Sequence, residues 1–156
     1  MHLHLIAVGK RMPAWVQDGY REFIKRLPPP WAPKLIEIPP ADRRGDQSAA
    51  ACMAQEAERI RRALPASARL IVLDEAGKPW RSRELAEQLG GWLQDGRDVA
   101  LVIGGADGLD PTLKRQAETS WSLSPLTLPH ALVRVVVAEQ IYRAWTLLNH
   151  HPYHRD

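Results

Sequence analysis

Apolar and polar positions along the chain follow two alternating rhythms. LHLIAVG (3–9) is a short, mostly apolar run stopped by glycine, and it predicts a strand. Pro13 then stands in the first turn of a helix, where its fixed φ is already helical. Val16, Tyr20, Phe23 and Leu27 recur at spacings of four, three and four, which is one helical face, and the prolines at 28–30 end it. KLIEIP (34–39) predicts a second strand, followed by the polar, basic loop PADRRGD. From about Ser48 a second helix places Met53, Ala57, Ile60 and Leu64 on one face. RLIVLD (69–74) is apolar at consecutive positions, as a strand buried on both sides requires. EAGKPW (75–80) reads as a loop, and Ser82 as the cap of a third helix with Leu85, Leu89 and Trp92 inward, ending at Asp95-Gly96. DVALVIGG (98–105) is the strongest strand. Asp110-Pro111 then signals the start of a short helix to about Glu118. WSLS (121–124) is a short strand, SPLTLPH a loop with two prolines, and the last helix runs from about Ala131 to Leu148.

Strands and helices alternate from end to end, which predicts an α/β fold with a largely parallel sheet and one domain over 1–156. In such sheets ligands bind at the carboxyl ends of strands. Three loops therefore become candidates: the one after Leu73-Asp74, the one after Ile103, and the one at 123–130.

Composition narrows the picture only a little. Of 156 residues, 45% are hydrophobic and 25% charged, ordinary for a globular domain with its own core. The lone Cys52 has no intrachain disulfide partner. No secretory leader and no apolar run near the roughly 18 residues of a spanning helix is visible, so a soluble, cytoplasmic protein is expected. The formal charge is +3 and the pI about 9.3, a value compatible with nucleic-acid binding.

Four stretches offer chemistry. LVIGGADG (101–108) puts glycines at a strand end, where either a ligand approaches the backbone or a tight turn needs them. It matches neither the dinucleotide fingerprint nor a phosphate loop. SWSLSPLTLPHALVR (120–134) is rich in leucine and proline. It suits either a wall for an adenine ring, read by main-chain groups, or a buried crossover. His130 and Arg134, one turn apart, either face a polyanion or form a solvated helix end. The tail NHHPYHRD (149–156) holds three histidines, but Pro152 interrupts them and no second ligand cluster supports a metal, so none is expected. Tyrosine, imidazole and guanidinium together are also what stacks on and hydrogen-bonds a nucleobase.

DVALVIGGADGL, SWSLSPLTLPHALVRVVVAEQIYRAW and HPYHR, with LIAVGKRMPAWV, IEIPPADR and LDEAGKPW in the amino-terminal half, together resemble the bacterial ribosomal large-subunit pseudouridine N3-methyltransferases, small members of the SPOUT class. The resemblance spans essentially the whole chain. It implies a Rossmann-like sheet whose carboxy-terminal part, about 98–148, is tied in a deep trefoil knot. It also implies a homodimer with the last helix in the interface. The cofactor would be S-adenosylmethionine and the substrate a pseudouridine of 23S rRNA in the assembled 70S ribosome. Carried over by position, cofactor contacts fall on Leu73, Gly104, Leu123, Ser124, Pro125, Leu126, Thr127 and Leu128. Tyr153 and His154 are the catalytic pair, His154 relaying the N3 proton and Tyr153 orienting the base. Arg134, Arg155 and His130 would meet the RNA. His150 departs from the asparagine common in relatives. An enzyme for another adenine nucleotide and a non-catalytic ribosome-binding module are the rival classes.

Overall fold

A computed structural model describes residues 1–154. The chain runs β1 (Leu3–Val8), α1 (Ala14–Ile24), β2 (Lys34–Ile38), α2 (Ala49–Ala63), β3 (Arg69–Pro79), α3 (Ser82–Asp95), β4 (Val99–Ile103), α4 (Pro111–Gln116), β5 (Thr119–Ser122) and α5 (His130–Leu148). The strands form one sheet in the order β2-β1-β4-β3-β5, every pairing parallel. The expected α/β architecture is therefore present.

Alternation along the strands sends neighbouring side chains to opposite faces. Leu3, Leu5, Ala7, Ile71, Leu101, Ile103 and Trp121 meet α3 and α5 through Leu85, Leu89, Trp92, Val137 and Ile141. Ile6, Val8, Leu70, Val72, Ala100 and Val102 meet Ala57 and Ile60 of α2 and Leu113 of α4. Five consecutive buried residues in β4 follow from this double covering. β4 lies at the centre of the sheet, so the glycines after Ile103 open at its middle.

Three local readings need correction. The segment 75–80 is not simply a loop. β3 bulges after Leu73 and then resumes pairing, so that Leu73 and Lys78 both oppose Trp121 and Pro79 opposes Ser122. The bulge pushes Asp74–Gly77 out at the strand's carboxyl half. Ser82 does not cap α3. It is the first helical residue, Glu84 accepts a hydrogen bond from the Arg81 backbone N–H (2.6 Å), and the Ser82 hydroxyl donates to Gln140 Oε1 (3.1 Å). Pro13 sits one residue ahead of α1, at its N-cap position. The other two start signals hold: Ser48 Oγ accepts from Ala51 N (3.1 Å), and Asp110 Oδ1 from Thr112 N (2.8 Å). Among the described residues no helix is long and apolar enough to cross a membrane.

Candidate active site

The loops after β3, β4 and β5 and the start of α5 enclose one cleft of about 580 Å³. It is the place that parallel topology nominates. Leu73, Gly104, Leu123, Ser124, Leu126, Thr127 and Leu128 line it, as does His130. Seven of the eight residues assigned to a cofactor thus converge on one volume. Pro125 is outside the lining. It holds the backbone between two residues that are in it.

The walls differ in character. Leu73, Trp121, Leu123, Leu126 and Leu128 make an apolar side, and Leu126 is 69% exposed, a large apolar side chain with nothing over it. Asp74, Glu75, Asp107 and Lys114 make a polar side. Lys114 Nζ pairs with Asp74 Oδ2 at 3.1 Å. Flat apolar wall and mixed-charge rim together fit a ligand with a ring at one end and a zwitterionic group at the other, in the volume range of small-molecule sites.

Side-chain ties hold the loops after β3 and β5 in register. Thr127 Oγ1 donates to Glu75 Oε2 (2.7 Å), which joins the leucine loop to the β3 bulge. Ser122 Oγ lies 3.0 Å from both the Glu75 and Ser124 carbonyl oxygens, and Ser124 Oγ accepts from Leu126 N (3.0 Å). Gly104 is needed by the turn itself. A Cβ there would fall 2.8 Å from the Gly108 carbonyl carbon and 2.9 Å from Leu109 Cγ. The missing side chain therefore makes room for the loop's own backbone, which then lines the cleft.

A buried ion-pair relay braces that loop from behind, and nothing in the sequence pattern announces it. Glu56 of α2 is buried and accepts from Ala41 N (2.9 Å) and from both Nη atoms of Arg43 (2.9 and 3.2 Å). Arg43 Nε then reaches Asp107 Oδ2 at 2.8 Å. Hydrogen bonds to the two carboxylates push the Arg43 guanidinium pKa up. The basic loop at 39–45 thus supports the glycine loop from outside the cleft lining.

His130, the first residue of α5, is half-buried at the edge of the cleft. Burial, aided by the nearby Arg134 and Arg43 cations and opposed by Glu56, lowers its pKa, so the imidazole is neutral at pH 7. Arg134 is not on the surface. It is 2% exposed, with Nη1 on Glu37 Oε2 (2.7 Å) and Nη2 on the Gly9 carbonyl (2.8 Å). Gly9, at φ +124°, faces both residues. A Cβ there would stand 3.1 Å from Met12 Cε, 3.4 Å from Arg134 Nη2 and 3.7 Å from His130 Nε2.

The tail folds back on α5, away from the cleft. Tyr153 donates to Glu139 Oε1 (3.0 Å), packs at a tilt of 35° against Tyr142 (4.6 Å between ring centres) and lies under the Arg143 guanidinium. Burial and the bond to Glu139 raise its pKa. His154 Nδ1 meets Thr146 Oγ1 at 3.2 Å, and His151 N donates to the Thr146 carbonyl. His150 is exposed, in a left-handed conformation. Arg155 lies outside the described residues.

Known proteins resemble the chain over its whole length. The family model described as "Predicted SPOUT methyltransferase" matches residues 1–154. A Burkholderia lata protein named "Ribosomal RNA large subunit methyltransferase H" is 54% identical over 155 residues, 99% of each chain. One of the same name from Hydrogenovibrio crunogenus is 54% identical over 156 residues, all of both chains. Among solved structures, a probable methyltransferase from Bordetella pertussis superposes with a TM-score of 0.58 at 20% identity, over 92% of this chain and 95% of that one. A probable methylase family protein from Haemophilus influenzae gives 0.60 at 13%, over 99% and 70%. These two show the fold alone; the family model and the full-length relatives show that the chain belongs to the SPOUT methyltransferases.

Proposed function

We propose that this chain transfers a methyl group from S-adenosylmethionine to N3 of a pseudouridine in 23S rRNA of the assembled ribosome, working as a cytoplasmic homodimer. One observation carries the reading: a single cleft gathers the glycine loop, Leu73 and the 123–128 segment. It does so in a chain alike end to end to relatives named for a large-subunit rRNA methyltransferase. The whole chain is one such unit, and the knot that the class implies belongs to the same reading.

When bound, S-adenosylmethionine supplies an already activated methyl group. The chain's own residues do the rest. Leu73, Leu123, Leu126 and Leu128 hold the adenine, Lys114 and the acids beside it hold the amino-acid end, and Thr127 fixes the loop against Glu75. Alignment of the methyl with N3 supplies much of the rate. A neutral imidazole accepts the weakly acidic imide proton, the role assigned to His154, and Tyr153 orients the base. Arg155 meets phosphate or the charge developing on the ring oxygens; Arg134, expected to share that role, is instead buried on Glu37 and the Gly9 carbonyl.

The tail's place supports the dimer. His154 contacts Thr146, sixteen residues along α5 from His130, or about 24 Å by helical rise. Within one chain Tyr153 is held at the middle of α5 and His154 near its far end, neither in the cleft lining, so on this reading a second copy brings its tail to the first copy's cleft. α5 fits an interface. Leu132 and Val136 are only half-buried, so some apolar surface remains on α5 outside the core.

The test is transfer of labelled methyl from S-adenosylmethionine to ribosomes from a strain lacking this protein. One methyl on one pseudouridine of 23S rRNA, located by mass spectrometry, is the expected result. Transfer to no RNA, with calorimetric binding of NAD or ATP in place of S-adenosylhomocysteine, overturns it.

A further inference from the structure

Thr146, near the end of α5, is polar yet 0% exposed. Its hydroxyl donates to the Arg143 carbonyl at 2.6 Å, the bond a helical threonine makes to the turn before it. That bond uses the one hydrogen the hydroxyl has, and burial keeps water from competing for it. Toward any other group Oγ1 can then only accept. The His154 ring lies against it, with Nδ1 at 3.2 Å. A nitrogen that faces an acceptor must carry a hydrogen, so Nδ1 is the N–H. In the neutral ring Nε2 is then bare. His154 is half-buried, and among the described residues its Nε2 has no hydrogen-bond partner. His151 is fixed the other way. Its Nδ1 accepts from the Tyr153 backbone N–H at 3.2 Å, and a backbone amide can only donate. The hydrogen of the neutral His151 ring is therefore on Nε2. The His151 backbone N–H in turn donates to the Thr146 carbonyl at 2.9 Å. One threonine thus holds the tail at two points, and the two histidines stand in opposite tautomers.

We infer that Thr146 is a positioning residue for methyl transfer: it fixes His154 as the Nδ1–H tautomer and so leaves Nε2 as the base. The inference rests on the catalytic role proposed for His154, and adds which nitrogen acts and what selects it. The proton leaving N3 of the substrate ends on Nε2. The ring becomes a cation that keeps its Nδ1–H on Thr146, and the pair freed on N3 bonds the methyl as its bond to sulfur breaks. Without the threonine oxygen the neutral ring can carry its hydrogen on either nitrogen. A ring with Nε2–H presents a donor where the reaction needs an acceptor. The contact lies within one chain, so the tautomer is set before RNA arrives.

Imidazole nitrogen NMR of the full chain, isotope-labelled at histidine, reads the tautomer directly at about pH 8.5, where ordinary imidazoles are neutral. The His154 signals are assigned by their absence from His154→Ala. Wild type should carry the His154 hydrogen on Nδ1 and the His151 hydrogen on Nε2. Thr146→Val nearly keeps the side chain's shape and removes the acceptor, so the His154 signals should move to the Nε2–H form or to a mixture. Thr146→Ser keeps the oxygen and should restore the wild-type pattern. Single-turnover methylation of ribosomes lacking the modification should slow about tenfold in Thr146→Val, short of the roughly 100-fold or more lost with the base itself in His154→Ala. It should recover in Thr146→Ser. Affinities for S-adenosylhomocysteine and for ribosomes, and sedimentation, should be unchanged in Thr146→Val. A wild-type His154 with its hydrogen on Nε2 overturns the inference, and so does a Thr146→Val protein that keeps Nδ1–H or methylates at the wild-type rate. Where Thr146→Val fails to fold, the wild-type spectrum still decides. If wild type transfers no methyl to ribosomes, or His154→Ala transfers it normally, the catalytic reading of the tail falls and takes this one with it. If wild type methylates, His154→Ala does not, and the spectrum shows Nε2–H, only the role of Thr146 falls.

Discussion

The cofactor cleft and the carboxy-terminal tail are built in opposite ways. The cleft is complete within one chain. The loops after β3 and β5 are tied to one another by Thr127–Glu75 and the Ser122 hydroxyl, and the loop after β4 is braced from behind by Glu56 and Arg43 through Asp107. The tail has order without a site of its own. Tyr153 and His154 are held by Glu139, Tyr142 and Thr146 of the helix they follow, outside the lining of the cleft. A binding site made of strand ends needs only its own fold. A catalytic group docked on an outer helix depends on what that helix packs against. On the proposed function, the difference makes cofactor binding a property of the chain and methyl transfer a property of the assembly.

The widest separation of the two comes from deleting residues 153–156. Methyl transfer should fall by at least about 100-fold, the lower end of what a positioned acid–base group contributes. Binding of S-adenosylhomocysteine, measured by calorimetry, should stay within error of wild type. If both are lost together, the tail supports the fold and the contrast disappears. Gly104→Ala probes the other half. The new Cβ meets the Gly108 backbone at 2.8 Å, which the turn cannot yield without moving. Overpacking of this kind costs about 1–3 kcal/mol, and cofactor affinity should drop about tenfold or more. Dimerisation, read by sedimentation, should persist, because α5 is untouched. Unaltered cofactor affinity would mean that the loop is not part of the site.

How far the sequence disclosed these regions follows from the physics of each. β1, β3 and β4 were legible because strands covered on both faces must be apolar at successive positions. The three loops were legible from topology alone, since a parallel sheet offers its ligands one edge. The extension of β3 was hidden by Gly77, Lys78 and Pro79, which spell a turn locally. Only their pairing beside Trp121 and Ser122, a tertiary event, keeps them in the sheet. Glu56 was hidden for a related reason. A glutamate on the inner face of an amphipathic helix looks like a break in the pattern until Arg43, from a distant loop, meets it. Arg134 read either as facing a polyanion or as part of a solvated helix end, and the family resemblance pointed to RNA. Its contact with Gly9, 125 positions earlier, could not be read from spacing. The tail's residues were identified by their likeness to a family, while the helix face that holds them was not.

The smallest expected effect sharpens the line between cleft and tail by using His130, which belongs to the cleft side. Its folded-state pKa lies below the ordinary 6.5, chiefly through burial and then through Arg134 and Arg43, with Glu56 working against them. A lowered folded pKa means that the unfolded chain binds the proton more readily. The stability that depends on neutral His130 is therefore fully present above pH 6.5 and is lost as pH falls below that value. His130→Gln removes this contribution and keeps a polar, uncharged side chain at the helix start. The drop in Tm between pH 7.5 and pH 5.5 should then be smaller in the variant than in wild type, by no more than about 2 °C given the residue's partial exposure. Equal drops in the two proteins would place the imidazole in open solvent, outside the field of Arg134 and Arg43. A larger drop in the variant would mean that His130 is stabilised as the cation, and the carboxylate of Glu56, not the two arginines, would then set the potential at the edge of the cleft.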